Sequence, residues 1–159
     1  MGVVINRPID MTLDALFEQI QLDINDAVPA TKGIAANAVH FGGPVQSDRG
    51  FVLHQPAGEW QSTIAVHGDT ALTSSKDVLE AVARGEGPEK MLVALGYAGW
   101  TAGQLEQEMA ENAWLSVKAQ SVQSQNSVIF DLPNADKLNA PMNLLGVSFD
   151  QLSEEAGHA

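Results

Sequence analysis

Apolar runs separated by turn signals predict a series of short strands. The run Met91–Leu95 is continuously apolar, which is typical of a strand that is buried on both faces. Other segments combine β-branched or aromatic residues with flanking Gly or Pro, which also favours strands. These are Gly2–Asn6, ended by Arg7-Pro8, and then Ala38–Phe41, Phe51–His54 and Thr63–His67.

Helix starts are predicted at four points, three of them with a capping residue. Thr12 is placed as an N-cap before Leu13, Leu16, Phe17 and Ile20, whose spacing puts them on one buried face. Ser74 with Asp77, and Thr101 with Gln104, have the spacing of capping boxes. A last helix is predicted from about Asn134 to Leu145, and Pro141 inside it should kink or split it.

The segment Leu95–Leu115 is predicted to form the centre of the fold, because its glycines turn the chain between a buried strand and a short helix. A strand is expected to follow at Trp114–Lys118, and a Gln- and Ser-rich loop would join it to another at Ser127–Leu132. Strands and helices interleave without a regular βαβ repeat. The pattern therefore predicts an α+β fold in which short helices flank a curled, mixed, mainly antiparallel sheet.

Composition limits the classes of function. The 159 residues, 45% of them hydrophobic, predict one globular domain across 1–159. The net charge of −12 disfavours nucleic acid and acidic membranes as partners, and the absence of cysteine excludes disulfides and thiolate metal sites. No apolar run has the ~20 residues of a membrane helix and no signal-peptide pattern is seen, so a cytoplasmic protein is expected.

The chain shows no complete catalytic or metal-binding set, so no catalytic residue, metal or other cofactor is predicted. The histidines are His40, His54, His67 and His158, and no two have the spacing of paired ligands on one helix. Ser74 or Ser75 with His54 and Asp77 would supply hydrolase residue types. There is no G-x-S-x-G motif, however, and helix capping already explains Ser74 and Asp77.

Scarce arginines suggest a candidate anion site. Arg7, Arg49 and Arg84 are the three arginines, and Arg84 is explained by the negative end of a helix. Arg7, with Asn6 before it, ends the first predicted strand, while Arg49 lies in a turn beside the strand that carries His54. If those strands are neighbours, the guanidinium groups could bind a carboxylate or phosphate. The alternative is internal salt bridges to some of the 20 acidic residues.

The turn after Met91–Leu95 suggests a candidate partner surface. Tyr97 and Trp100 lie in this turn rather than on a periodic face, and Gln104 follows in the first helical turn. The two aromatic residues could anchor a protein interface or pack beneath the turn. Glu108 and Glu111, one helical turn apart, predict a solvated acidic face rather than a shared metal.

Seven motifs in a fixed order resemble one bacterial family. They are Val4-Ile5-Asn6-Arg7-Pro8, Gly42-Gly43-Pro44-Val45, Arg49-Gly50-Phe51-Val52-Leu53-His54, Leu72-Thr73-Ser74-Ser75-Lys76-Asp77, Leu95-Gly96-Tyr97-Ala98-Gly99-Trp100, Gly103-Gln104-Leu105-Glu106 and Asn112-Ala113-Trp114-Leu115. Together they closely resemble the YqgE/AlgH family over nearly the whole chain. The resemblance implies an α+β fold with a sheet rolled into a pseudo-barrel, and no established catalytic residues. It also implies a strand-forming segment upstream of Gly2, which is expected to be missing here.

Three functional hypotheses follow. The first is a non-enzymatic cytoplasmic protein that acts by binding another protein, in keeping with the regulatory label that the resemblance implies. The second is a small-anion or nucleotide-binding protein, or an unrecognised hydrolase, that uses Arg7, Arg49 and His54. The third takes the family's label of transcriptional regulator as direct DNA binding, which the charge of −12 and the lack of a basic recognition helix disfavour. The sequence predicts no oligomeric state.

Overall fold

A six-stranded sheet forms the centre of the first part of the chain in the computed structural model, which describes residues 1–24 and 33–147. The strands are β1 (Pro8–Thr12), β2 (Ala38–Phe41), β3 (Val45–Gln55), β4 (Thr63–His67), β5 (Thr70–Thr73) and β6 (Lys90–Tyr97). Their order across the sheet is β1-β2-β6-β3-β5-β4. The pair β2–β6 is parallel and the other neighbouring pairs are antiparallel. The predicted α+β fold with a mixed, mainly antiparallel sheet is confirmed.

The sheet is open. Its edge strands are β1 and β4, and no pairing joins these two strands to each other in the described parts of the chain. β1 begins at Pro8, which has no N–H to donate and is therefore suited to an edge. The pseudo-barrel implied by the family resemblance is thus an open sheet in this chain.

The chain divides into two compact units, Met1–Gly99 and Trp100–Ala159. The first unit contains the sheet with helices α1 (Leu13–Gln19) and α2 (Asp77–Arg84). The second contains α3 (Gln104–Ala110), α4 (Val122–Asn126), a π-helical segment (Ser127–Asp131) and α5 (Asn139–Leu144). One domain across residues 1–159 stays a prediction.

The two helices of the first unit pack on the sheet through their apolar faces. Thr12 caps α1 as predicted, since its hydroxyl accepts a hydrogen bond from the Ala15 backbone N–H at 3.3 Å. Val52 of β3 is paired with Val93 of β6, so these side chains lie on one face of the sheet. The core on this face is formed by buried residues of the helices and strands: Leu13, Leu16, Phe17, Val39, Val52, Val78, Leu79, Val82, Ala83 and Val93.

The predicted strand at Gly2–Asn6 is wrong in its boundaries. Gly2 and Ala98 exchange two backbone hydrogen bonds of 2.8 Å, and Val4 N–H donates to Gly42 O at 2.9 Å, but a regular strand starts only at Pro8. β5 was not predicted. It is only four residues long and follows β4 through a tight turn in which Gly68 has φ 58°.

The two strands predicted after α3 are wrong. Residues 113–119 form no regular strand, and Ser127–Asp131 continues α4 as a π-helical segment. The reason is a capping box at the start of α4: the Ser121 hydroxyl accepts from the Ser124 backbone N–H, and the Ser124 hydroxyl accepts from Ser121 N–H. The last helix starts later than predicted, at Asn139. Pro141 therefore falls in its first turn, where a missing N–H removes no helical bond.

Two glycine segments approach each other where β2 and β6 end. Gly43 has φ 155°, and a Cβ atom there would overlap the backbone of Tyr97 and Ala98. Gly96 has φ 75°, and a Cβ there would overlap the Gly43 carbonyl. Both positions therefore need glycine, because backbone occupies the space of a side chain.

His54 holds three strands together from inside the sheet. Its ring is 0% exposed, Nδ1 lies 2.9 Å from the Pro56 carbonyl and Nε2 lies 2.8 Å from the Thr73 hydroxyl. Because a carbonyl only accepts, Nδ1 carries the proton of the neutral ring. The Thr73 hydroxyl also lies 2.6 Å from that of Thr63 in β4. Burial lowers the pKa of His54, and the bond to Pro56 offsets only part of that effect.

The first prediction concerns the glycine approach. Gly43→Ala is expected to lower the free energy of unfolding by about 2–4 kcal/mol, because both the positive φ and the backbone overlap oppose a Cβ atom. Gly50→Ala is the matched control, since a Cβ at Gly50 meets nothing within 4 Å, and should change stability by less than about 0.5 kcal/mol. Urea unfolding of the three proteins measures both values. Equal stability of the two variants would contradict the close approach.

The second prediction concerns pH. Because the His54 pKa is lowered by folding, the unfolded chain binds its proton first, near pH 6.5. The contribution to stability is complete above pH 6.5 and is lost as pH falls from there to the folded-state pKa, by up to about 1.4 kcal/mol per pH unit. Urea unfolding between pH 7.5 and 5.5 should show this slope in the wild type and in His67→Gln, and a smaller slope in His54→Gln. If the slope were the same in His54→Gln as in the wild type, the pH dependence would not come from His54.

Candidate functional site

An open pocket of about 220 Å³ surrounds Arg49 on the first unit. It is lined by side chains from β3, β4, β5 and β6, by Ser62 just before β4, by Ser74 just after β5, and by Met1. The polar lining residues are Gln46, Arg49, Ser62 and Ser74, and the apolar ones are Met1, Phe51, Ile64, Leu72 and Tyr97. Phe51 and Tyr97 meet edge to face, with ring centroids 5.4 Å apart. The forked, charged guanidinium group of Arg49 thus lies beside apolar side chains.

An irregularity in β3 creates the polar side of the pocket. Val45 is paired with Tyr97 and Gly50 with Leu95, so five residue steps of β3 face two of β6. The extra residues form a bulge, and Gln46 within it has φ 49°, a conformation uncommon for a residue with a side chain. The bulge carries both Gln46 and Arg49. Such irregularities re-aim side chains, and this one supplies two polar groups to the pocket.

Arg49 is held by neutral groups. Its Nη2 donates to the Ser74 hydroxyl at 3.0 Å and its Nη1 to Gln46 Oε1 at 3.4 Å. The guanidinium carbon lies 5.8 Å from the centroid of the Phe51 ring. Within residues 1–24 and 33–147, no carboxylate forms a salt bridge with Arg49, although the chain contains 20 acidic residues. The fork retains donors for an external anion.

Ser74 does not cap α2, which corrects the predicted capping box. The helix begins at Asp77, whose carboxylate accepts from the backbone N–H groups of Val78 at 3.0 Å and Gln61 at 2.8 Å. Ser75 also donates to it, at 2.6 Å. Partial burial alone would raise the Asp77 pKa, but the hydrogen bonds from Ser75, Gln61 and Val78 lower it overall. Asp77 therefore anchors the loop before β4, and Ser74 is free to orient Arg49.

The structure does not bring Arg7, Arg49 and His54 together. Arg7 precedes β1 and lies over the Phe41 ring, 5.0 Å from its centroid, with half-buried Asn6 before it. β2 and β6 separate β1 from β3, which corresponds to about 14 Å at the usual strand spacing. The ring of His54 is fully buried in its own hydrogen bonds. Of these residues, Arg49 alone lines the pocket, where it is joined by Tyr97.

Trp100 and Gln104 belong to a separate cluster in the second unit. The indole N–H groups of Trp100 and Trp114 donate to Glu108 Oε2 at 3.0 and 2.8 Å, and Gln104 Nε2 donates to Oε1 at 3.0 Å. The bonds from Trp114, Gln104 and Trp100, in that order, lower the pKa of Glu108. Glu108 is thus the centre of a hydrogen-bonded cluster rather than half of a simple acidic face. Only the spacing of Gln104 and Glu108 signals this in the sequence.

The described residues contain neither a metal-binding cluster nor a membrane-spanning helix. No three histidine or acidic side chains in these parts of the chain are arranged to hold a metal ion. His158 lies outside the described residues. Among the helices that the structure describes, none has the length and apolar character needed to cross a membrane.

Several pocket residues were missed by sequence reasoning. Gln46, Ser62, Ile64 and Leu72 belong to no motif of binding chemistry, and they meet only because β3, β5 and β4 are adjacent in the sheet. The one signal available was the scarcity of arginine, which did identify Arg49.

Comparisons with known proteins identify the family. A family model described as AlgH-like matches residues 1–150. UPF0301 proteins of Azoarcus sp. (strain BH72) and Thiobacillus denitrificans (strain ATCC 25259 / T1) are 54% and 55% identical to the whole chain, which spans 79% and 80% of their lengths. The solution structure of the AlgH protein from Pseudomonas aeruginosa matches with a TM-score of 0.74 and 46% identity, covering 100% of this chain and 79% of that one. The family resemblance is therefore confirmed: this chain belongs to the AlgH-like family of UPF0301 proteins.

Proposed function

We propose that this protein acts by binding rather than by catalysis, and that its pocket around Arg49 takes a small anion. The observation that carries the proposal is a guanidinium held in an open pocket by a serine and a glutamine, with no carboxylate partner among the described residues. Arginine forks of this kind form short, strong hydrogen bonds with carboxylate and phosphate groups. The pocket thus offers an anion an oriented positive charge on a chain whose net charge is −12.

The pocket lacks the groups of a hydrolase. Ser62 and Ser74 are its hydroxyl groups, and an activated serine needs a general base within hydrogen-bonding reach. The lining described for the pocket contains no histidine, aspartate or glutamate. His54 is unsuited to the task, because both of its ring nitrogens are engaged with Pro56 and Thr73. Binding is therefore the function that this geometry supports.

The third prediction tests anion binding by thermal unfolding. Inorganic phosphate and short carboxylates are added in turn at rising concentration. A ligand at 100 times its Kd adds about 2.7 kcal/mol, which corresponds to a rise in Tm on the order of 5–10 °C for a chain of this size. Arg49→Gln should abolish the rise.

Arg84→Gln is the matched control, because it removes the same charge from an exposed arginine paired with Glu86. It should leave the rise in Tm intact. Absence of any shift in the wild type, or a shift that persists in Arg49→Gln, would overturn the proposal.

A protein partner is the second candidate function, in keeping with the regulatory hypothesis. The second unit exposes Met109, Trp114 and Leu115, and Trp114 is 47% exposed although Glu108 fixes its indole N–H. Tryptophan held in one orientation is a frequent centre of protein interfaces, since little entropy is lost when it is covered. Trp100 stacks against it edge to face, at 5.6 Å between centroids. This surface supports partner binding independently of the Arg49 pocket.

The fourth prediction separates these two candidates. Tagged wild-type protein is used to capture partners, in parallel with Trp114→Ala and Arg49→Gln. If the tryptophan surface binds the partner, Trp114→Ala should lose about 2 kcal/mol or more of binding free energy, which weakens capture at least about 30-fold. Arg49→Gln should capture the partner normally. Equal capture by wild type and Trp114→Ala would remove Trp114 from the interface.

Direct DNA binding is not favoured by the helices. Among the five described α-helices, only α2 carries a Lys or Arg, which is Arg84 next to its end. A recognition helix normally presents several basic side chains to phosphates, and the net charge of −12 opposes approach to DNA. A regulatory role would therefore operate through a protein or a small ligand.

A further inference from the structure

We propose that the ligand of the Arg49 pocket is a small monocarboxylate with a compact apolar body. The inference rests on the proposed anion-binding function and adds the class of ligand. Three features of the pocket carry it: its volume, its single charged side chain, and the division of its lining into a polar and an apolar side.

Volume sets the size of the ligand. The pocket holds about 220 Å³, below the roughly 300–1,000 Å³ of sites for drug-sized ligands. It corresponds to about seven waters at the density of the liquid. A small organic acid suits such a space better than a nucleotide, which is a much larger molecule. The volume therefore selects a small acid over a nucleotide.

Charge sets the class of anion. Arg49 is the one charged side chain in the lining described for the pocket, so the side chains there supply a single positive charge. A carboxylate matches that charge. A phosphate monoester carries close to two negative charges at neutral pH and would bring an uncompensated charge to a chain whose net charge is −12. A carboxylate is thus better matched than a phosphate.

The remaining donors of Arg49 suit a planar group. Guanidinium has five N–H donors, and two of them are directed to Ser74 and Gln46. Those two bonds limit rotation of the fork, so its free N–H groups keep a defined direction. A carboxylate accepts two parallel bonds from such a fork, which a lysine ammonium does not reproduce.

Backbone strain supports the view that Gln46 is placed for this purpose. Its φ of 49° is in the left-handed region, which is strained for a residue with a side chain. In return, its side chain reaches Arg49 Nη1 at 3.4 Å. Gln46 and Ser74 act as positioning residues for the fork, and Arg49 makes the contact with the anion.

The apolar side of the pocket favours a ligand that carries an apolar group next to its carboxylate. Phe51 and Leu72 are buried residues of the sheet that also line the pocket, while Ile64 is 59% exposed. An apolar group attached to the carboxylate would cover Ile64 and lie against the edge-to-face pair of Phe51 and Tyr97. Acetate, which has no such body, should therefore bind more weakly than a branched or aromatic acid.

The fifth prediction is tested with benzoate and 4-methylpentanoate, measured by isothermal titration calorimetry on the whole chain. Each acid is compared with its primary amide, which has nearly the same shape and no charge. Replacing the carboxylate by the amide should weaken binding about 10- to 100-fold, because charge-assisted bonds to the fork are lost. Acetate, inorganic phosphate and adenosine monophosphate complete the set and should bind more weakly than the two acids.

Variants assign the binding to the pocket. Arg49→Gln should abolish binding of the acids, and Arg49→Lys should weaken it about tenfold or more because the charge stays but the fork is lost. Ile64→Ser should weaken binding of 4-methylpentanoate more than binding of acetate. Arg84→Gln should change the binding of neither 4-methylpentanoate nor acetate. Urea unfolding of each variant confirms that it is folded.

The outcomes separate this inference from the proposed function. Phosphate or adenosine monophosphate binding that depends on Arg49, with no preference for the acids, would overturn the monocarboxylate and leave anion binding standing. Equal binding of acid and amide would also overturn it. Failure of every anion to bind, or binding that Arg49→Gln does not affect, would overturn both. Preference for the acids that is lost in Arg49→Gln supports both.

Discussion

The pairing of β3 with β6 is the interaction on which the first unit depends. β3 has β6 on one side and β5 on the other, and β6 in turn pairs with β2, so the order of the four central strands follows from these two strands. From Gly50 to Gln55 the ladder is regular and β3 is mostly buried. From Val45 to Gly50 the register is irregular and the strand is mostly exposed. The C-terminal half of β3 thus contributes side chains to the core, and its N-terminal half contributes side chains to the pocket.

Two polar residues of β3 show why its two ends differ. His54 is enclosed, and both ring nitrogens have protein partners, so its hydrogen-bonding capacity is used within the fold. Arg49 is exposed, and the groups that hold it are neutral, so its charge is not cancelled by a partner in the described residues. A fully satisfied buried polar network stabilises one arrangement of strands. An oriented but uncompensated cation is what an anion site needs.

Local signals in the sequence predicted elements well where tertiary pairing agreed with them. Ala38–Phe41 and Thr63–His67 are strands with the predicted boundaries, and the Thr12 cap forms as expected. The segment from Val128 to Phe130 has high strand propensity, yet it continues helix α4, which starts at Val122 after the cap at Ser121. Propensity of β-branched residues is weak evidence, because context decides it. A capping box formed by two serines, at Ser121 and Ser124, lacks the usual Glu or Gln and was not recognised.

The pocket residues were predictable only in part, because local sequence patterns do not determine the order of strands in a sheet. Arginine scarcity pointed to Arg49 and Arg7, but their separation follows from β2 and β6 lying between β1 and β3. Ser74 was assigned to helix capping, whereas Asp77 provides the bonds at the start of α2 and Ser74 faces Arg49. Ile64 and Leu72 reach the pocket because β4 and β5 are paired in register, Ile64 with Leu72. Such convergence depends on long-range pairing, which one sequence does not reveal.

The three arginines together explain why Arg49 is the one suited to a ligand. Arg84 is paired with Glu86 at 3.0 Å, which satisfies its charge within the chain. Arg7 lies over the Phe41 ring and does not line the pocket around Arg49. Arg49 has a defined direction, a cavity in front of it and an apolar wall beside it. Although the chain contains 20 acidic residues, no carboxylate in the described residues is paired with Arg49. Its charge is therefore available to the anion that the proposed function assigns to the pocket.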